Sequence, residues 1–172
     1  VYERIFLWYV FFGMSTSHPR RLTQAEFAHH YGVVPRACVD ILIVVEEGIL
    51  LTRRALPSWN GQWHLPGGTL LYGEFVEDAA RRVARDELSV EIKIHRLVGY
   101  IQYPSKENGW PLSLVFLATM RDPGADIVLD HQATEYRFFD VLPDPMLEEH
   151  ARFCRGLGDI SLLCDSVRFG DL

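Results

Sequence analysis

Cysteine is scarce and unpatterned in this chain. Cys38, Cys154 and Cys164 are odd in number and show no C-x-x-C spacing. That usage gives no zinc signal and fits a reducing compartment, so cytoplasmic residence is expected. Basic charge is in deficit as well, with 17 Lys and Arg against 23 Asp and Glu and a formal charge of −6. Proteins that grip a nucleic-acid backbone usually show a basic face, so no nucleic-acid partner is expected. An acidic pocket can still take a nucleotide when a metal bridges it to phosphate. Long apolar runs are missing too. The run from Ile5 to Phe12 is far short of the ~20 residues that span a bilayer. It lacks the basic start and small-residue cleavage site of a secretory signal. No membrane partner is expected, and there are no repeats or low-complexity tracts.

What is present is ordinary globular material, 48% hydrophobic and 23% charged over 172 residues. This reads as one domain with an extension. Residues 1–34 form the extension: an apolar segment, a polar linker and a short helix. Three readings of residues 1–13 stand open: docking on the domain or on a second subunit, an upstream extension before Met14, or a weak membrane-surface anchor. Docking is preferred, because so much exposed aromatic surface invites association, and a homodimer follows as an expectation. Thr23 to Tyr31 has the signature of a short helix, with Thr23 as N-cap, Glu26 at the capping-box position, and Leu22 and Phe27 spaced as a staple.

The main domain is assigned to residues 35–153 and a partly helical tail to 154–172. Ala37 to Glu46 is a strand rich in β-branched residues, and Glu46-Glu47-Gly48 turns it into a second strand, Ile49 to Arg54. The loop ALPSWNGQW follows, in which Trp59 and Trp63 either stack a base or sugar ring or wedge the loop against the core. Ile92 to Tyr103 reads as a long strand with Gly99 at a bulge. Leu112 to Met120 and Tyr136 to Val141 are further strands. A helix over Pro143 to Phe153 is expected to start at an Asp144-Pro145 cap-and-first-turn pair. The order is that of an α+β layered fold.

The stretch that organises the chain is GGTLLYGEFVEDAARRVARDELSV, Gly67 to Val90. Its second half is built of good helix formers without Gly or Pro, and Glu74, Glu77 and Asp78 load the start with the negative charge a helix dipole favours. Residues three and four apart share a helix face. Val83, Asp86 and Glu87 therefore lie on one arc, beside a small apolar arc of Ala80, Ala84 and Leu88. Two adjacent carboxylates facing a glycine loop suit a hard divalent cation that takes oxygen ligands, and the glycines let the backbone approach it.

The stretch resembles the Nudix box, G-x5-E-x7-R-E-U-x-E-E-x-G-U, where U is a bulky aliphatic. Gly68, Glu74, Arg82, Glu87 and Val90 match at the required spacing. Asp86 keeps the charge of the Glu it replaces, and Ser89 stands in place of Gly. Val83 occupies the place of the Glu directly after the Arg. The resemblance covers about Pro35 to Phe153 and implies an α/β/α sandwich with a mixed sheet between helices. It implies hydrolysis of a nucleoside diphosphate linked to another group. Asp86, Glu87, the Gly68 carbonyl and Gln132 would hold Mg²⁺, with Mn²⁺ as an alternative, and Arg82 would orient a box carboxylate.

In many Nudix enzymes the Glu missing here binds metal and often serves as the base. An aliphatic at that place, with the later Glu kept, is similar to the GDP-mannose mannosyl hydrolases, where water attacks the sugar carbon. In that branch a loop Gln for the metal is followed by a His as base. Here the loop is DHQATEYRFF: Gln132 matches, Ala133 stands where the His should be, and either His131 or Glu135 is left to act as base. Arg54 is the candidate diphosphate clamp, because a guanidinium binds phosphate oxygens bidentately; its alternative is a surface ion pair. Two functions follow: a Mg²⁺-dependent hydrolase of a nucleotide sugar or similar compound, and a non-catalytic nucleotide-binding module.

Overall fold

A computed structural model describes residues 21–104, 109–160 and 162–164. The apolar segment 1–13, the linker up to residue 20, and residues 161 and 165–172 of the C-terminal tail lie outside the described residues. Among the described residues the elements run α1 (Gln24–Tyr31), β1 (Ala37–Val45), β2 (Gly48–Arg54), β3 (Trp63–His64), β4 (Gly67–Thr69), α2 (Val76–Leu88), β5 (Ile92–Gln102), β6 (Leu112–Met120), β7 (Ala133–Phe139) and α3 (Glu148–Gly156). No described helix is long and apolar enough to cross a membrane.

The sheet is mixed. The central path runs β3-β2-β1-β6-β5, with β4 on β1 and β7 on β2. β1 runs parallel to β6 and antiparallel to β2 and β4. Successive side chains of a strand point to opposite faces, so a strand buried on both sides reads as one unbroken apolar run. β1 does this: Val39, Ile41 and Ile43 pack on one face with Ala80, Val83 and Leu88 of α2, while Leu42 and Val44 pack on the other with Leu147 and Cys154 near α3. The sheet is therefore sandwiched between helices, as the resemblance implied.

The capping box of α1 is formed, with Thr23 accepting from the Glu26 N–H and Glu26 accepting in return. Gly99 sits at φ +152° beside a register shift between β5 and β6, and a Cβ there would meet the Phe153 ring at 3.0 Å. The start of α3 corrects the sequence expectation. Asp144 and Pro145 do not open the helix, which begins at Glu148 after Leu147. Their stretch bends and is bonded to β3 instead, with Met146 bridging Trp63: Trp63 N–H donates to the Pro145 carbonyl at 3.0 Å, and Leu147 N–H donates to the Trp63 carbonyl at 2.9 Å. Tertiary pairing overrides the local cap signal. The last strand likewise starts earlier than expected, at Ala133, because Ala133 to Phe139 pair along the free edge of β2.

Candidate active site

β1 starts, and β2 ends, at the same end of the sheet, because the two strands are antiparallel. There β4 is laid across Cys38 to Asp40, so the glycine pair meets the end of α2. These elements and α1 enclose a cavity of about 730 Å³. Arg54, Trp59, Gly68, Arg82, Asp86, Glu87 and Gln132, all singled out by sequence, line it.

At one end stands Glu87, 8% exposed. Its carboxylate accepts from the Gly67 N–H and from the Gln132 side-chain amide, each at 3.3 Å. The same Gln132 amide reaches Asp130 at 2.9 Å, and the Asp130 N–H bonds the Glu87 carbonyl at 3.3 Å. The loop before β7 is thus laced to the end of α2. Ser89, where the box has Gly, caps α2 at φ +59° and donates its hydroxyl to the Val128 carbonyl at 3.2 Å. Burial, then repulsion from Asp130, pushes the Glu87 carboxyl up to about 8.

Arg82 acts as a staple. It grips Glu74 through two bonds of 2.7 and 3.0 Å, holds the Thr69 carbonyl at 3.0 Å, and approaches Asp86 at 3.5 Å. This fixes the loop after the glycine pair against the helix. Burial pushes the Glu74 carboxyl up, but the Arg82 bond and the Leu71 N–H more than offset it and hold the group below its usual range. Asp86 also meets Arg21 at 2.6 Å, from the segment leading into α1. Val83 is 1% exposed and packs within core contact of Gly68, where an added Cβ would stand 3.0 Å from its methyl group.

Three residues singled out by sequence lie elsewhere. Glu135 is paired to Arg53 at 2.9 Å and to Arg137 at 3.0 Å, and these two bonds hold its carboxyl below the usual range. His131 is 84% exposed, 3.7 Å from Asp130. Neither lines the cavity. Trp63 is buried with its ring edge-on to Phe139 at 4.8 Å and Arg137 stacked over it at 5.7 Å, so its reading as a substrate-stacking ring gives way to the wedge. Trp59 does face the cavity, 6.2 Å from the Tyr103 ring.

Sequence reasoning missed the cavity's inner floor. Asp40, Tyr103, His64 and His150 form a buried polar group there. Leu65 N–H donates to His150 Nδ1 at 2.8 Å, which leaves the proton on Nε2 facing the Tyr103 hydroxyl. Tyr103 in turn donates to Asp40 at 2.7 Å. His64 Nδ1 donates to the Leu65 carbonyl at 2.7 Å and Nε2 accepts from Thr52 at 3.3 Å. Burial, with His150 reinforcing it for His64 and Arg54 for His150, brings both imidazoles down to about 3, so they are neutral. The available signal was a lone acid inside the apolar run ACVDILIVV, since a buried charge normally has partners.

Among the described residues no group of three His, Cys, Asp or Glu holds a metal ion by itself. Magnesium seldom uses such a cage; it takes one or two carboxylates and completes its shell with water and phosphate. Glu87 and Asp130 are oxygen donors whose mutual repulsion a divalent cation would relieve. The donor set fits that use.

Comparison with known proteins gives one family. The NUDIX domain profile matches residues 34–153. A Haloferax volcanii protein named low-salt glycan biosynthesis protein Agl8 is 39% identical over 83 residues, 48% of this chain and 53% of that protein. An ADP-ribose pyrophosphatase of Methanocaldococcus jannaschii is 32% identical over 114 residues, 66% of each. The chain thus spans between half and two thirds of the length of these curated relatives. A MutT NUDIX hydrolase structure from Burkholderia pseudomallei superposes with a TM-score of 0.61 at 26% identity, covering 70% of this chain and 96% of that one.

Proposed function

As the chain belongs to the NUDIX family, we propose that it is a hydrolase of a nucleoside diphosphate linked to another group, with a nucleotide sugar as the preferred substrate class and Mg²⁺ or Mn²⁺ as cofactor. The observation that carries the reading is Glu87, buried at the glycine loop and facing a cavity that also holds the Arg54 guanidinium. The Arg54 Nε is buried without a hydrogen-bond acceptor, which leaves that donor for phosphate, while Glu87, Asp130 and Asp40 offset part of its charge from a distance. A bound metal would neutralise the diphosphate and stabilise the leaving group. Glu87, Asp86 and Gln132, with the Gly68 carbonyl, are the residues that would hold it, and Asp130 joins them through Gln132. Arg82 and Glu74 keep the glycine loop in place.

Val83 leaves no carboxylate at the position directly after Arg82, and the loop groups weighed as base, Glu135 and His131, lie outside the cavity wall. Water attack at the sugar carbon, with the nucleoside diphosphate leaving, makes the smallest demand for a base near phosphorus. The name of the Haloferax relative, a glycan biosynthesis protein, agrees with a sugar-linked substrate. The same lack of a base favours the second reading, a nucleotide-binding module without turnover. Hydrolysis of a panel of nucleotide sugars and dinucleotides in ¹⁸O-labelled water tests both. Label in the sugar is the expected result; label in phosphate moves the attack to phosphorus, and binding without turnover across the panel rejects the hydrolase. A reducing compartment and a homodimer belong to the proposal; the buried thiols of Cys38 and Cys154, outside any disulfide, support the first.

A further inference from the structure

We propose that Arg36, which lies outside the motif and just before β1, is a second anion anchor that works with Arg54 to hold the diphosphate of the substrate. The assignment rests on the hydrolase reading for the identity of the ligand, but its geometry is independent of turnover.

Arg36 lines the same cavity as Arg54. It precedes the first residue of β1, and Arg54 is the last residue of β2, so the antiparallel pairing brings both to the end of the sheet where β4 places its glycines. The backbone of Arg36 is pinned on both sides. Its N–H donates to the Gly109 carbonyl at 2.9 Å, and its carbonyl accepts from Leu112 N–H at 2.9 Å. Its guanidinium lies over the Phe27 ring of α1, 5.2 Å from the centroid. That contact orients the plane of the fork but supplies no counter-charge.

The charge census of the cavity is uneven. Arg82 is committed to Glu74 and Asp86, and Arg21 to Asp86. Arg36 and Arg54 have no described carboxylate within ion-pair reach, and in each the Nε is buried without a hydrogen-bond acceptor. A buried donor left unmade is costly, and native proteins seldom leave one without a reason. Here two such donors belong to like-charged groups facing one space. Their fields overlap: burial lowers the proton affinity of Arg54, Glu87 restores part of it from beyond ion-pair distance, and Arg36 lowers it again. A ligand with one negative charge would satisfy one fork. A diphosphate offers acceptor oxygens on two adjacent phosphorus centres and satisfies both, bidentately.

The test uses the full chain with Mg²⁺ and two probes, pyrophosphate and orthophosphate, followed by calorimetry. The wild-type chain should prefer pyrophosphate. Arg36→Gln should weaken pyrophosphate binding by about tenfold or more, with a smaller effect on orthophosphate. With a hydrolysed nucleotide sugar, the same variant should lose kcat/KM mainly through a raised KM. If Arg36→Gln has no cooperative thermal transition, Arg36→Lys takes its place. It keeps the charge and loses the fork, and should weaken pyrophosphate binding several-fold. A variant that folds and binds pyrophosphate like wild type overturns the assignment, as does a wild-type chain that does not bind pyrophosphate. A chain that binds pyrophosphate through Arg36 but hydrolyses nothing rejects the hydrolase and leaves the anchor standing. Turnover with an unchanged KM in Arg36→Gln does the reverse.

Discussion

Replacing Glu87 with Gln should make the metal-free protein more stable at pH 8 while removing its activity. The side chain is 8% exposed, and its two hydrogen-bond donors sit at 3.3 Å, at the long end of the range. Burial and the charge of Asp130 raise its pKa from 4.5 to about 8. An acid whose folded pKa lies above its unfolded value keeps its proton in the native state after the unfolded chain has lost it. Stability then falls as pH rises from about 4.5 to about 8 and levels off above that. At one pKa unit per ~1.4 kcal/mol the displacement is worth about 5 kcal/mol, of which relaxation in a partly hydrated cavity should leave about half. For a domain of this size about 2–4 °C accompanies each kcal/mol, so the expected gap in Tm is about 5–10 °C at pH 8. The assay is thermal melting of wild type and Glu87→Gln from pH 5 to 8.5 in chelator, repeated with Mg²⁺. Subtracting the variant removes other buried groups such as Asp40 from the comparison. The gap should open as pH rises and narrow when Mg²⁺ stabilises the carboxylate. Parallel curves would refute the buried, proton-retaining carboxyl, and turnover by Glu87→Gln at the wild-type rate would remove its place in the chemistry.

Other perturbations probe the glycine corner and the cavity floor. Gly67→Ala should cost about 2–4 kcal/mol, because its Cβ would overlap the Asp40 carboxylate and stand 2.9 Å from the Val39 carbonyl of a buried strand. Gly68→Ala should cost less, since the atom it meets at 3.0 Å is a Val83 methyl; Val83→Ala should recover part of that loss in a double-mutant cycle read by denaturant midpoint. His150 has a folded pKa of about 3 against 6.5 unfolded, so the native state resists protonation and stability is lost as pH falls below 6.5. His150→Gln should be less stable than wild type at pH 7, and the two should converge toward pH 4. Denaturant midpoints that keep a constant difference over that range would contradict a neutral, buried imidazole.

Periodicity carried the fold because burial on both faces leaves a direct trace in sequence. β1 is apolar at every position except Asp40, and α2 alternates charge and small apolar groups as a helix against a sheet must. Spacing carried the box because its contacts are local: Arg82 reaches Glu74 eight residues back, and Ser89 closes the helix where Gly is usual. What did not show were contacts between distant segments. Tyr103 and His150 join Asp40 from 63 and 110 residues away, and neither stands in a pattern of its own. The edge of β2 captured the segment holding Glu135, turning that side chain toward Arg53 and Arg137 instead of the cavity.

The same long-range logic bears on Val83. A motif places its acids on one helix, so the loss of one looks like the loss of a function. The packing shows a different partition. Position 83 has joined the core, 1% exposed, where its methyl groups fill the space left by a glycine backbone. A carboxylate placed there would be desolvated between α2 and β4 with no described cation to pair it, since Arg82 is already held by Glu74. Glu87 nonetheless has an acidic neighbour, because Asp130 arrives from the loop before β7 and is tied to it through Gln132. The acid pair here is assembled from a helix and a loop. Its geometry depends on the lacing of residues 128–132 to the end of α2, and less on the helix face that the motif describes.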